Sequence, residues 1–134
     1  MSSAHDPDVN WDQVRLIGWV AIGGALGSVL RFLVQGHVNS ETFPWGTFAV
    51  NLSGSFLLAL VFFSPLSASI SPEIRALLFV GIFGGFTTLS TFSLETVGLM
   101  IEERWWLAAG NIFLTGIVCV MGAVAGRIIG QLVG

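Results

Sequence analysis

The sequence predicts an all-α integral membrane protein with four transmembrane helices, the third of them broken at membrane depth. Three observations carry this. Of 134 residues, 54% are hydrophobic and only 10% charged, with 17 glycines, no lysine and no tyrosine, a composition of membrane proteins rather than soluble domains. Four windows supply the roughly 20 mainly apolar residues that a span requires: residues 14–34, 45–63, 74–101 and 105–129. The third window is interrupted by Gly84-Gly85-Phe86-Thr87-Thr88-Leu89-Ser90-Thr91-Phe92-Ser93. Irregular or polar backbone at that depth survives only where protein buries it or it lines a cavity.

Residues 1–13 carry Asp6, Asp8 and Asp12 and no basic side chain. A secretory signal opens on a positive region, so this tail reads as a short disordered lead-in to an uncleaved first helix. The remaining residues 14–134 form one four-helix domain, with no room for an extramembrane catalytic or nucleic-acid-binding domain. Cys119 is the single cysteine, so no internal disulfide forms.

Span one carries Gly23, Gly24, Gly27 and Ser28 at small-xxx-small spacing, repeated by Gly81/Gly85 in span three and Gly122/Gly126/Gly130 in span four. Lipid gives no hydrophobic drive between helices, so such faces work by letting backbones approach. A compact bundle with several tight crossings is expected. Arg31 near the end of span one has two readings: an interfacial arginine reaching for headgroups, or a buried one that bonds freed carbonyls or raises the local potential for anions. Trp11, Trp19, Trp45, Trp105 and Trp106 mostly flank the spans, as an ordinary aromatic belt.

In span two, Thr47, Asn51 and Ser55 are four apart and share a helical stripe. Asn51 needs partners inside a membrane; it is either an interhelical bond or an NH₂ donor for a passing anion. Residues 64–72, with two prolines and four serines, read as an exposed loop, and Pro72-Glu73 suits the first turn of the next helix. Span three is expected to be interrupted at residues 84–88, turning the carbonyls of Gly84 and Thr87 off the ladder. Beyond it Ser90, Thr91 and Ser93 offer hydroxyls, and Phe92 an electron-poor ring edge. Glu95, one turn past Thr91, is an acid at a pore mouth or a partner for an arginine. Span four repeats a polar stripe in Asn111, Thr115 and Cys119.

Two polar stripes and a broken helix describe a track through the membrane lined by neutral donors. Such a lining replaces the shell of a small, strongly hydrated ion. Four short helices hardly enclose a path alone, and a symmetric dimer is the smallest solution. Orientation follows arginine placement: Arg15, Arg75 and Arg127 fall at one side, Arg31 and Arg104 at or near the other. That balance leaves both a fixed and a dual orientation open.

The run from Gly84 to Ser93 followed by Glu95 resembles the GG-x-TTFSTFS-x-E signature of the Fluc/CrcB fluoride channels. Gly23-Gly24-x-x-Gly27 ahead of Arg31 is similar to that family's first helix, and Pro44-x-Gly46-Thr47-x-x-x-Asn51-x-x-Gly54 to its second. The resemblance implies a multi-pass cell-membrane channel exporting fluoride passively, built as an antiparallel dual-topology homodimer around a structural sodium ion. It assigns the sodium to the backbone carbonyls of Gly84 and Thr87, and the anion path to Asn51, Phe92, Asn111, Thr115 and Cys119. Ser90, Thr91, Ser93, Glu95 and Arg31 are the further candidates. Asn111 stands where the family usually has tyrosine, and Cys119 where it usually has serine.

Leu89 departs from the pattern, because the family places a first pore phenylalanine there. The chain therefore lacks one of two coordinating ring edges, or works with a paralogous subunit that supplies them. Two other classes compete with the channel. A four-helix proton-coupled multidrug exporter needs a carboxylate deep in span one, and residues 14–34 contain none. A non-transporting scaffold would use the stripes for packing alone.

Overall fold

The computed structural model describes residues 10–133, and these are helical with short connections. Five helices make four spans: α1 (Trp11–Val38), α2 (Trp45–Phe62), α3 (residues 72–86), α4 (Leu89–Ile101) and α5 (Trp105–Leu132). Each span is long and apolar enough to cross a membrane. Residues 1–9 of the expected lead-in lie outside the described residues, while Trp11–Gln13 already form the first turn of α1, which the Asn10 side chain caps by accepting from Gln13 N at 3.2 Å. The spans match the apolar windows closely, except that α1 continues to Val38 and so includes Gln35.

α2 is the hub. At 18 residues it is about 27 Å long, just enough for the hydrocarbon core, and α1, α5 and the break between α3 and α4 pack around it. Its first turn lacks a side-chain cap because Pro44 occupies the N-cap position. Asn39 supplies the missing acceptor, taking Gly46 N at 2.8 Å on its Oδ1. That bond ties the end of α1 to the start of α2.

The glycine faces make the crossings. A Cβ on Gly23 would come within 2.9 Å of Gly81 Cα, and one on Gly81 within 2.7 Å of Gly23 Cα, so α1 and α3 touch backbone to backbone. Gly126 and Gly130 lie in the same way on the carbonyls of Phe56 and Leu60, and Gly122 on the Leu52 side chain, which seats α5 against α2. The small-residue spacing read from the sequence is thus the packing code of the bundle.

α3 is wound widely over Ala76–Ile82 and α5 over Leu114–Val118, both as π-helix inside α-helix. The helix interruption is narrower than expected: Gly84–Phe86 stay helical, and only Thr87 and Thr88 are extended. Residues 64–72 are also more ordered than a plain loop. Pro65–Ser69 make a 3₁₀ turn whose buried Ser67 accepts from Arg75 Nη2 on its carbonyl at 2.7 Å and on its hydroxyl at 3.0 Å.

At that end of the bundle Arg15 pairs with Glu73 at 3.0 Å, Arg75 lies over the Phe62 and Phe79 rings, and Arg127 lies over Phe63. At the other end Arg104 donates to the carbonyls of Glu41 and Thr42. There α4 stops in a Schellman turn, with Arg104 N on the Leu99 carbonyl and Glu103 at φ 59° in the left-handed place that glycine usually fills.

Candidate functional site

The break is made by Asn51. Its Oδ1 accepts from Thr88 N at 2.7 Å and its Nδ2 donates to Thr88 O at 3.0 Å. Backbone polarity fixes the amide orientation, since Thr88 N–H can only donate and Thr88 C=O only accept. In an unbroken helix Thr88 N would serve the Gly84 carbonyl, and Thr91 N the Thr87 carbonyl. The first goes to Asn51 and the second to the Thr88 hydroxyl, which caps α4 at 3.2 Å. Both carbonyls named from the sequence, those of Gly84 and Thr87, therefore leave the ladder.

Arg31 turns inward. Its Nη1 lies 3.5 Å from the Thr87 carbonyl, so of its two readings the freed carbonyl, not the headgroup, describes its contact. Asn51 likewise makes the interhelical bond, yet an NH₂ carries two hydrogens and only one goes to Thr88. The residue lines a cavity of about 340 Å³ with Ser55, Thr87, Thr88, Leu89, Thr115 and Cys119. The stripe of α2 and the stripe of α5 thus meet at the break. The Thr115 hydroxyl is buried there without a protein partner.

Asn111 stands apart from this cavity. Thr96 gives its single hydroxyl hydrogen to the Phe92 carbonyl at 2.7 Å, so it accepts from Asn111 Nδ2 at 2.9 Å. The Asn111 amide is thereby oriented, with a buried Oδ1 that has no protein partner. Asn111 therefore leaves a buried acceptor open beside the second hydrogen of its NH₂.

The wider turn of Leu114–Val118 explains why the stripe of α5 divides this way. Residues four apart drift around an α-helix of about 3.6 residues per turn, and the π segment takes up that drift between Thr115 and Cys119.

On α4, Thr91 bonds the Thr88 hydroxyl at 3.0 Å, Ser90 lies 3.3 Å from it, and Ser93 donates to the Leu89 carbonyl at 2.9 Å. Ser90, Ser93 and Gly84 are exposed in the single chain, as is Leu89 at 73%. Leu89, not Phe92, lines the cavity wall. Glu95 Oε1 accepts from the buried Thr47 hydroxyl at 2.8 Å, and Thr47 in turn accepts from Gln35 Nε2 at 2.9 Å. Glu95 also lines a second cavity of about 260 Å³ under the 39–44 loop, with Glu41, Glu102 and Arg104.

Gln35 and Thr96 escaped the sequence reading. Gln35 carried a usable signal, being the next polar residue after Arg31 at helical spacing, but it fell one residue past the apolar window. Thr96 is one hydroxyl among many in its helix and carried none.

A family model described as "CrcB-like protein, Camphor Resistance (CrcB)" matches residues 18–127. Among curated proteins, a "Fluoride-specific ion channel FluC" of Magnetococcus marinus is 43% identical over 121 residues, covering 87% of this chain and 98% of the relative. Proteins of the same name from Methylocella silvestris and Opitutus terrae are 40% and 42% identical, covering 83% and 82% of this chain and 89% and 88% of theirs. Similarity of that extent, running through all four spans and the break, makes this chain a member of the CrcB-like family.

Proposed function

We propose that the chain is a subunit of a fluoride-selective channel of the cell membrane, which lets the anion run down its gradient. The observation that carries this reading is the cavity at the break, where an amide hydrogen of Asn51 and the hydroxyl of Thr115 are both left without a protein acceptor. Donors fixed at membrane depth replace the water that a small anion gives up. The names of the relatives point to the same ion. Phe92, Ser90, Thr91, Ser93, Glu95, Asn111, Cys119 and Arg31 complete the proposed path and its surroundings. A proton-coupled exporter is disfavoured because residues 14–34 offer no carboxylate to carry the proton.

The active form we propose is an antiparallel homodimer. Gly84, Leu89, Ser90 and Ser93 are uncovered in one chain, and hydroxyls facing lipid are costly, so a second copy over the break accounts for them. A paralogous partner would serve the same purpose and would supply the ring that Leu89 lacks. The sodium ion implied by the resemblance fits this region by its donor set. Carbonyl oxygen suits a hard cation, the break takes the Gly84 and Thr87 carbonyls off the ladder, Thr87 keeping one lone pair beside its Arg31 contact, and two-fold pairing doubles two oxygens to four. A bound cation there would hold two copies of the break together.

The test is fluoride efflux from liposomes containing the purified chain alone, read with an ion-selective electrode against chloride. Fast fluoride flux without chloride flux is expected. Silence from folded dimer would refute a self-sufficient homomeric channel, and equal chloride flux would refute selectivity.

A further inference from the structure

Gln35 is the one amide of α1 that reaches into the bundle, and neither the sequence signature nor the break accounts for it. Its backbone lies close against Gly46, where a Cβ would approach Gln35 Cα to 2.9 Å. The Asn39–Gly46 bond holds that register from the next turn. Both contacts flank Thr47, which is fully buried and has a single hydrogen to give. With Glu95 as a carboxylate, which can only accept, that hydrogen goes to Glu95 Oε1, and the Thr47 oxygen is left to accept from Gln35 Nε2.

We propose that Gln35 is a positioning residue of the ion pathway: its donated hydrogen bond commits the Thr47 hydroxyl to Glu95 and so fixes the carboxylate at the wall of the second cavity. The proposal rests on the channel reading above. Without the donor, the Thr47 hydroxyl can turn to another acceptor, the Glu95 carboxylate loses its tether, and its second oxygen, already without a protein partner, swings with it. Three helices meet in this chain, α1 through Gln35, α2 through Thr47 and α4 through Glu95. The bonds run in one direction, from α1 to the carboxylate.

The direction gives a test that packing alone would not pass. Gln35→Met keeps the length of the side chain and removes the amide; Gln35→Glu keeps its shape and reverses its polarity, because a carboxylate competes with Glu95 for the Thr47 hydrogen. In reconstituted liposomes Gln35→Met is expected to slow fluoride efflux about fivefold, the worth of one ordinary hydrogen bond, and Gln35→Glu by at least as much. Adding Thr47→Val to Gln35→Met should bring less than the additive loss. A second readout is the infrared band of the Glu95 carboxylate, identified by its disappearance in Glu95→Gln, which should shift in Gln35→Met. Wild-type flux in Gln35→Glu with a deficit only in Gln35→Met would reduce Gln35 to a space-filler and overturn the proposal, as would an unmoved carboxylate band. Should the wild-type chain alone carry no fluoride, the homomeric channel reading fails while the infrared shift still decides whether Gln35 positions Glu95.

Discussion

Asn51 does two tasks with one amide. It stops the helix by taking the Thr88 N–H that would have continued the ladder, and it keeps a spare hydrogen facing the cavity. The two tasks separate by substitution. Asn51→Ala removes both bonds to Thr88 and leaves a buried peptide unit without partners, so a loss of about 2 kcal/mol in detergent unfolding is expected together with loss of flux. Asn51→Asp keeps an acceptor for Thr88 N but strips the donor and adds a negative charge. It should retain more stability than the alanine variant and still fail to pass fluoride. Full flux in Asn51→Asp, measured as liposome efflux, would remove the amide hydrogen from the proposed path.

The helices are matched by glycines that are not equivalent. Gly126 lies buried on the Phe56 carbonyl, while Gly98 in α4 has no atom within 4 Å of where a Cβ would stand. Gly126→Ala therefore forces α5 off α2 and is expected to abolish recovery of folded protein. Gly98→Ala should be neutral or add up to about 1 kcal/mol from helix propensity. Comparing the two by fluorescence size-exclusion chromatography and thermal unfolding checks the assignment. Equal behaviour would show that the α2–α5 crossing tolerates a side chain. The small-residue spacing was legible in the sequence because it is local and periodic. Which glycines bear weight was not, because spacing says nothing about what lies opposite.

For the whole molecule, charge placement carries less weight than it did in the sequence. Arg31 is drawn to the break, so Arg15, Arg75 and Arg127 at one end face only Arg104 at the other. The proposed dual orientation then rests on the resemblance and on the uncovered face of the break, not on arginine balance. A cysteine appended at the C-terminus of a Cys119→Ser background, labelled with a membrane-impermeant maleimide on intact cells, tests it directly. Labelling of about half the copies is expected for dual insertion; labelling of nearly all or nearly none marks a fixed orientation set by positive charge inside the cell.

The sequence by itself determined the four spans, the tight glycine crossings and the place of the interruption. Each is a local matter: a bilayer accepts only backbone that satisfies itself, so apolar length dictates helix, and a run of glycine and hydroxyl residues marks where that rule is suspended. Tertiary structure decided which polar groups meet. Asn51 reaches Thr88, Glu95 reaches Thr47, and Asn111 reaches Thr96 rather than the cavity shared by Thr115 and Cys119. Those pairings depend on the rotation of each helix about its own axis and on the π-helical turns that reset it, and no spacing along one helix records the rotation of its neighbour.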